Sequence, residues 1–280
     1  MKRSIIYQVC FLVMFCVSMQ LHADAQSNKK VLFFDDFNKP SLDRSKWNVI
    51  ITGDHFNDEL QAYIDSASTL YVENGSLVFR PQYRPGFITK DGQHFDFTSA
   101  RITTQKKFDF SYGTAEAKIK LTEGSGLWPA WWLLGNEIWP TTGEVDIMEY
   151  SGEKDWASAA IHGPGYSGET PFVNRKYFDA NNDATQWHIY AVDWSPTQLI
   201  FKYDGVPMFR VTKKMINHFG NWVFDAPKHL LLNFAVGGIF PVKINGIKGK
   251  GVRYGLPETT ADLIKSSKAK MWVDWVKVSQ

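Results

Sequence analysis

Tyr112-Gly113-Thr114-Ala115-Glu116-Ala117-Lys118-Ile119-Lys120-Leu121 alternates without a break: Ala115, Ala117, Ile119 and Leu121 fall on one side, Thr114, Glu116, Lys118 and Lys120 on the other. Side chains of an extended chain point to opposite faces with period two, so this stretch predicts a half-buried strand. On either side of it the same grammar repeats. Asn74-Gly75 separates Leu70–Glu73 from Ser76–Arg80, and Asp204-Gly205 separates Gln198–Tyr203 from Val206–Val211. Both dipeptides predict type I′ hairpins, which require positive φ at two successive positions. Further β-rich runs are Val31–Phe37, Thr98–Thr104, Trp128–Leu134, Glu144–Glu149, Trp187–Trp194, Leu230–Val236 and Met271–Val278. No helical period of comparable length occurs, and no Pro/Ser linker, low-complexity run or internal repeat divides the chain. The pattern predicts an all-β sandwich of two antiparallel sheets.

The chain has 280 residues, 44% of them hydrophobic and 21% charged, with a formal net charge of +2. That composition excludes disordered, collagen-like and disulfide-scaffold classes. With no basic block, nothing provides the footprint of a nucleic-acid binder. The excess lies in the aromatics: 11 Trp, 11 Tyr and 20 Phe. So many rings imply an aromatic core, a surface that stacks on flat ligands, or both.

Residues 1–25 read as a secretory leader, with Lys2 and Arg3 ahead of an apolar run and Ala23-Asp24-Ala25 as an A-x-A cleavage signature. The apolar run is interrupted by Gln8, Ser18 and Gln20 and falls short of the ~20 residues a membrane span needs. The mature protein is expected to begin at Gln26, to be secreted or periplasmic, to have no membrane partner, and to form one domain over residues 26–280. Both cysteines, Cys10 and Cys16, lie in the leader. Stability outside the cytoplasm must then come from a large core rather than disulfides.

Gly143-Glu144-Val145-Asp146-Ile147-Met148-Glu149-Tyr150 places three acids within six residues of a strand-like run. Glu144 and Asp146 share a face by parity, whereas Glu149 would point into the core, where an unpaired carboxylate is costly. A β-bulge at Ile147-Met148 would return Glu149 to the face of the other two. Facing carboxyls suit glycoside hydrolysis, one attacking the anomeric carbon and another protonating the departing oxygen. A solvated acidic strand, or a calcium site built from the same acids, fits the cluster alone equally well.

With its surroundings, this segment resembles the signature of glycoside hydrolase family 16, in its bulged, laminarinase-like branch. The resemblance rests on the Glu144, Asp146 and Glu149 spacing and on Gly126-Leu127-Trp128-Pro129-Ala130-Trp131-Trp132 and His162-Gly163-Pro164-Gly165-Tyr166-Ser167-Gly168. Asn57-Asp58-Glu59-Leu60-Gln61, Ser99-Ala100-Arg101-Ile102, Trp187–Trp194, Leu232–Gly238 and Val273-Asp274-Trp275-Val276 extend it along the chain. It implies a β-jelly-roll sandwich with an open concave cleft, and a secreted, retaining, endo-acting hydrolase of β-1,3-glucan, with mixed-linkage β-1,3-1,4-glucan as a further substrate. It implies Glu144 as nucleophile, Glu149 as general acid and then base, and Asp146 as their assistant. Negative charge around Glu149 is expected to raise its pKa and keep it protonated for leaving-group departure.

Trp128 and Trp132 share a parity and Trp131 faces the other way; the same resemblance places Trp128, Trp132 and His162 at the substrate and Asn57 and Arg101 on the glycone side, and leaves Trp131 in the core. Asn57, Glu59 and Gln61 alternate onto one face. Catalysis is expected to need no metal or other cofactor. A structural calcium is implied, with Asp36, Asp274 and the carbonyl of Gly75 as ligands. The partner is a polysaccharide and the chain is expected to be a monomer. Gly163–Gly168 formally fits GxGxxG, yet Pro164 sits inside it and no helical pattern follows, so it reads as a loop. Neither a GxSxG elbow around Ser167 nor an HExxH motif occurs. After Gly237-Gly238 the chain departs from the family with Ile239-Phe240-Pro241-Val242 and a segment carrying Lys243, Lys248, Lys250 and Arg253. Those basic residues form a solvated loop or favour an acidic algal galactan. A non-catalytic glucan-binding module is the alternative from another class, and a transglycosylase shares the same intermediate.

Overall fold

The alternating stretch becomes a central strand over Gly113–Lys120, with Ala115, Ala117 and Ile119 wholly buried. The computed structural model describes residues 29–247 and 254–280. The expected leader, with Cys10 and Cys16, and Lys248, Lys250 and Arg253 lie outside the described residues.

In chain order the strands are β1 (Val31–Asp35), β2 (Asn48–Val49), β3 (Gln61–Tyr63), β4 (Leu70–Glu73), β5 (Ser76–Phe79), β6 (Gln82–Ile88), β7 (His94–Ser99), β8 (Arg101–Thr103) and β9 (Gly113–Lys120). They continue as β10 (Leu127–Gly135), β11 (Glu144–Glu149), β12 (Trp156–His162), β13 (Phe172–Tyr177), β14 (His188–Ser195), β15 (Gln198–Tyr203), β16 (Val206–Thr212), β17 (Lys228–Val236) and β18 (Met271–Ser279). One sheet runs β16-β15-β14-β9-β18-β5-β4, with β1 added to β18; the other runs β13-β12-β11-β10-β17-β8-β2. Their apolar faces meet in one core that includes Trp131, Val145, Ile147 and Met148 from the second sheet and Phe79, Ala117, Val192 and Phe201 from the first. Each large apolar side chain among them contributes about 1.5–3 kcal/mol by leaving water, which a chain without disulfides in its described part depends on. This is the expected jelly-roll sandwich.

Both hairpins form where the dipeptides predict them. Asn74 and Gly75 have φ of 51° and 73°, and Asp204 and Gly205 have 51° and 76°. Two features differ from the sequence reading. Thr98–Thr104 is not one strand: it breaks at Ala100, whose carbonyl accepts from Phe234, and the chain passes from β7 into β8 of the acid-bearing sheet. β7 belongs to a third, small sheet of order β3-β7-β6, in which β3 and β7 run parallel. Three short helices, α1 (Lys213–Ile216), α2 (Ile239–Asn245) and α3 (Glu258–Lys265), were also not expected. At eight residues or fewer, they offer too few repeats for a 3.6-residue period to register.

Candidate active site

The bulge is where the parity argument requires it. Against β10, Asp146 faces Trp132 while Met148 faces Trp131, and Glu149 faces Ala130. Against β12, Asp146 faces Ala160 and Glu149 faces Ser158. Three steps on β11 thus match two on each neighbour, and Ile147 and Met148 both sink into the core. Glu149 thereby returns to the face of Glu144 and Asp146. Gly143 supports the entry to the strand: its φ is +73°, and a Cβ there would strike Val223 and the Nζ of buried Lys228.

Each acid has its own partner. Trp139 donates its indole N–H to Glu144 Oε2 at 2.6 Å, and Trp128 donates to Glu149 Oε1 at 3.1 Å. Asp146 is 4% exposed, and its Oδ2 lies 3.3 Å from His162 Nε2 without an aligned hydrogen bond. Burial is the largest influence on all three and raises every one of them above the ordinary carboxylate range. For Glu144 the charge of Asp146 adds to the rise; for Glu149 the charge of Glu144 adds a smaller amount. The sequence argument assigned the rise in Glu149 to neighbouring charge, and the structure assigns it first to desolvation.

Glu144 and Asp146 are close enough to share a proton. When Glu144 carries the charge, Trp139 N–H stabilises its anion while Asp146 Oδ2 has no aligned donor, which favours the proton on Asp146 in that state. With the proton on Asp146, Glu144 is free to ionise. Burial and mutual repulsion raise Glu144 to about 8 and Glu149 to about 7, so the cluster carries fewer charges than carboxyls, which lets the roles of nucleophile and general acid be divided among them.

Glu144, Asp146 and His162 each offer a donor atom within 4.8 Å of the others, which is also the outline of a cation site. His162 argues for proton sharing instead. Its Nδ1 accepts the N–H of Gly168 at 3.2 Å, so in the neutral ring the proton sits on Nε2, the nitrogen turned toward Asp146, leaving it no lone pair for a metal. The loop Gly163–Gly168, read as a loop from Pro164, thus sets the histidine tautomer.

Beside β11 on the β10 side, Trp132 donates to Asn233 Oδ1 at 2.8 Å and carries the Arg101 guanidinium 4.7 Å from its ring centre. Asn233 Nδ2 donates to Tyr63, whose hydroxyl donates to Glu59 Oε2; Gln61 Nε2 donates to the same oxygen at 2.6 Å. Burial pushes Glu59 up while the Arg101 charge pulls it down. Asn57 lies in a turn at φ 52°, not on a strand, and reaches Glu59 Oε1 at 3.5 Å. Its expected alternation with Glu59 and Gln61 is therefore not strand parity; the three meet through hydrogen bonds to one carboxylate. One face of Trp132 is occupied by Arg101, and Trp128 is tied to Glu149 and packed 5.1 Å from Phe240. Trp131 is fully buried in the core, as expected.

Sequence reading gave no site role to Trp139, Tyr63, Asn233 or Phe240. Trp139 lies in the turn before Gly143, where alternation carries no information. Tyr63 and Asn233 come together only across 170 residues. Phe240 is in α2, the segment that departs from the family. In the same helix Lys243 pairs with Glu169 at 2.7 Å, so this charge of the basic segment is balanced.

The residues implied as calcium ligands each have a protein partner. Asp36 accepts from Asn38, whose Oδ1 lies next to Gly75, whereas Asp274 is paired with Lys118 Nζ at 2.8 Å. The charge facing the Asp274 carboxylate is thus the partly exposed Lys118 ammonium, where a divalent ion would otherwise sit.

A family model described as Glycosyl hydrolases family 16 matches residues 44–241, a span containing all of the cleft residues above. The laminarinase catalytic domain from Thermotoga maritima MSB8 superposes with a TM-score of 0.77 at 31% identity, over 91% of this chain and 99% of that one. A beta-glucanase of Rhodothermus marinus is 28% identical over 254 residues, 84% of this chain and 87% of that protein. A glucan endo-1,3-beta-glucosidase A1 of Niallia circulans is 30% identical over 243 residues, which is 77% of this chain but 35% of that longer protein.

Proposed function

The chain belongs to glycosyl hydrolase family 16, and we propose that it is a retaining endo-β-1,3-glucanase acting on laminarin-type polysaccharide, with mixed-linkage β-1,3-1,4-glucan as a second substrate. The bulge that turns Glu149 onto the face of Glu144 carries this reading, because binding alone has no use for a protonated acid opposite an ionised one. Glu144 attacks the anomeric carbon and forms a glycosyl ester as Glu149 passes its proton to the departing oxygen. Loss of the Glu144 charge then lets Glu149 take a proton from water, whose oxygen displaces the ester and restores the original anomeric configuration. Asp146 holds the shared proton and His162 packs beside it. The composition of residues 1–25 supports action outside the cytoplasm.

Incubation with laminarin, mixed-linkage glucan and agarose in parallel, with product chain lengths followed over time, tests substrate and mode. Short oligosaccharides from laminarin are expected, first as a ladder of sizes. Better cleavage of agarose than of laminarin, or no cleavage of any glucan, would overturn the proposal. Glu144→Gln and Glu149→Gln should each lower laminarin turnover by ~10²–10⁴-fold. They should differ on an aryl glucoside, whose leaving group needs no proton: Glu149→Gln should form the glycosyl-enzyme readily there and Glu144→Gln should not. Equal loss on both substrates would overturn the division of roles.

A further inference from the structure

On the far side of the acids from Arg101, β12 and β13 present a second row of side chains to the cleft. Ala157, Ala159 and Ile161 of β12 enter the core, so Trp156, Ser158, Ala160 and His162 take the opposite face, the face of the acids. Cross-strand partners share a face, and Trp156 pairs with Tyr177, Ser158 with Arg175 and Ala160 with Val173. Glu149, Ser158 and Arg175 therefore stand in one row across three adjacent strands, with Arg175 ~10 Å from Glu149 along the sheet.

Arg175 lies flat on Trp156, with its guanidinium carbon 4.1 Å from the ring centre. It covers the indole so well that Trp156 is only 5% exposed, although it faces the cleft. Among the described residues no carboxylate lies within ion-pair distance of Arg175. Tyr177, its neighbour on the same face, is 60% exposed, and Val173 is 50% exposed. The strand is held in place from behind, where Asn174 on the core side donates to Met208 O of β16 at 2.7 Å. A planar cation stacked on an indole, with free N–H edges and an exposed tyrosine alongside, matches a sugar ring: the flat faces accept C–H groups and the N–H edges meet hydroxyls.

We propose that Arg175, stacked on Trp156, and Tyr177 form an acceptor-side subsite that binds the hydroxyls of a β-glucan leaving group beyond the first sugar after the cleaved bond. The inference rests on the glucanase reading and on the placement of Arg101 and Asn57 at the glycone end. Because it acts on the departing portion, the subsite also holds an incoming sugar for transfer to the glycosyl-enzyme, and so sets the balance between hydrolysis and transglycosylation.

The test compares wild type, Arg175→Ala and Arg175→Lys on β-1,3-gluco-oligosaccharides and on an aryl β-laminaribioside, whose leaving group is too short to reach β13. Arg175→Ala should lower kcat/KM for the oligosaccharides ~10-fold, the scale of a lost charge-assisted hydrogen bond, and reduce transfer products, while aryl hydrolysis stays within ~2-fold. Arg175→Lys, which keeps the charge but loses the planar stack, should recover less than half of the loss. Unchanged oligosaccharide kinetics in an active, folded Arg175→Ala protein, or an equal loss on the aryl substrate, would overturn the subsite. Inactivity of wild type on both substrates would instead overturn the glucanase reading, and the subsite with it.

Discussion

Asp146 is nearly sealed from water, and burial holds its carboxyl well above the usual range. A group that keeps its proton in the fold and loses it when unfolded stabilises the fold at low pH. That contribution is complete below the unfolded value of 3.8 and is lost as pH rises toward the folded one. Asp146→Asn cannot ionise and still offers an N–H to Glu144. Its melting temperature should therefore exceed that of wild type increasingly as pH rises from 4 to 8, each unit of raised pKa being worth about 1.4 kcal/mol. Turnover should fall by ~10-fold, since the amide cannot pass a proton back and forth. A constant difference between the two melting curves across this pH range would count against a protonated Asp146.

At the scale of the element, β11 joins two demands that a regular strand cannot meet together: three acids on one face, and both Ile147 and Met148 in the core. The bulge was legible because the alternative cost could be read from the letters alone, a buried unpaired Glu149. Removing Ile147 would give a regular strand in which the three acids still share a face, while emptying a core position. The deletion variant should fold, retain measurable hydrolysis and lose about 2–5 kcal/mol of stability, read from denaturant unfolding. Loss of all activity in a folded deletion variant would mean that the bulge sets the separation of the acids and not only their face. Neighbouring elements were less legible. Thr98–Thr104 contains no Gly, Pro, Asn or Asp, so the crossing between sheets at Ala100 leaves no turn signal in the sequence. β13 (Phe172–Tyr177) is an exposed edge whose Asn-Arg-Lys run is absent from the β-rich stretches and is a strand only through its pairing with β12.

For the molecule as a whole, two sheets close on one core, and the outer sheet brings Lys118 of β9 against Asp274 of β18. This ion pair occupies one of the ligands that a structural calcium would use. Chelation with EDTA should therefore leave the melting temperature unchanged, and added calcium should not raise it; a shift of several degrees in either experiment would show a bound cation. The strand alternation, the two Asn/Asp-Gly turns, the parity of Glu144, Asp146 and Glu149 and the placement of Trp131 in the core were determined by the sequence itself, because each depends on side-chain direction along a few consecutive residues. The partners of the acids, Trp139, Trp128 and His162, the Glu59–Tyr63–Asn233 network, the Arg175–Trp156 stack and the pairing of Lys118 with Asp274 were decided only by the tertiary structure. They depend on which strands lie side by side and in what register, and that is settled by burial of the whole core rather than by any local run of residues.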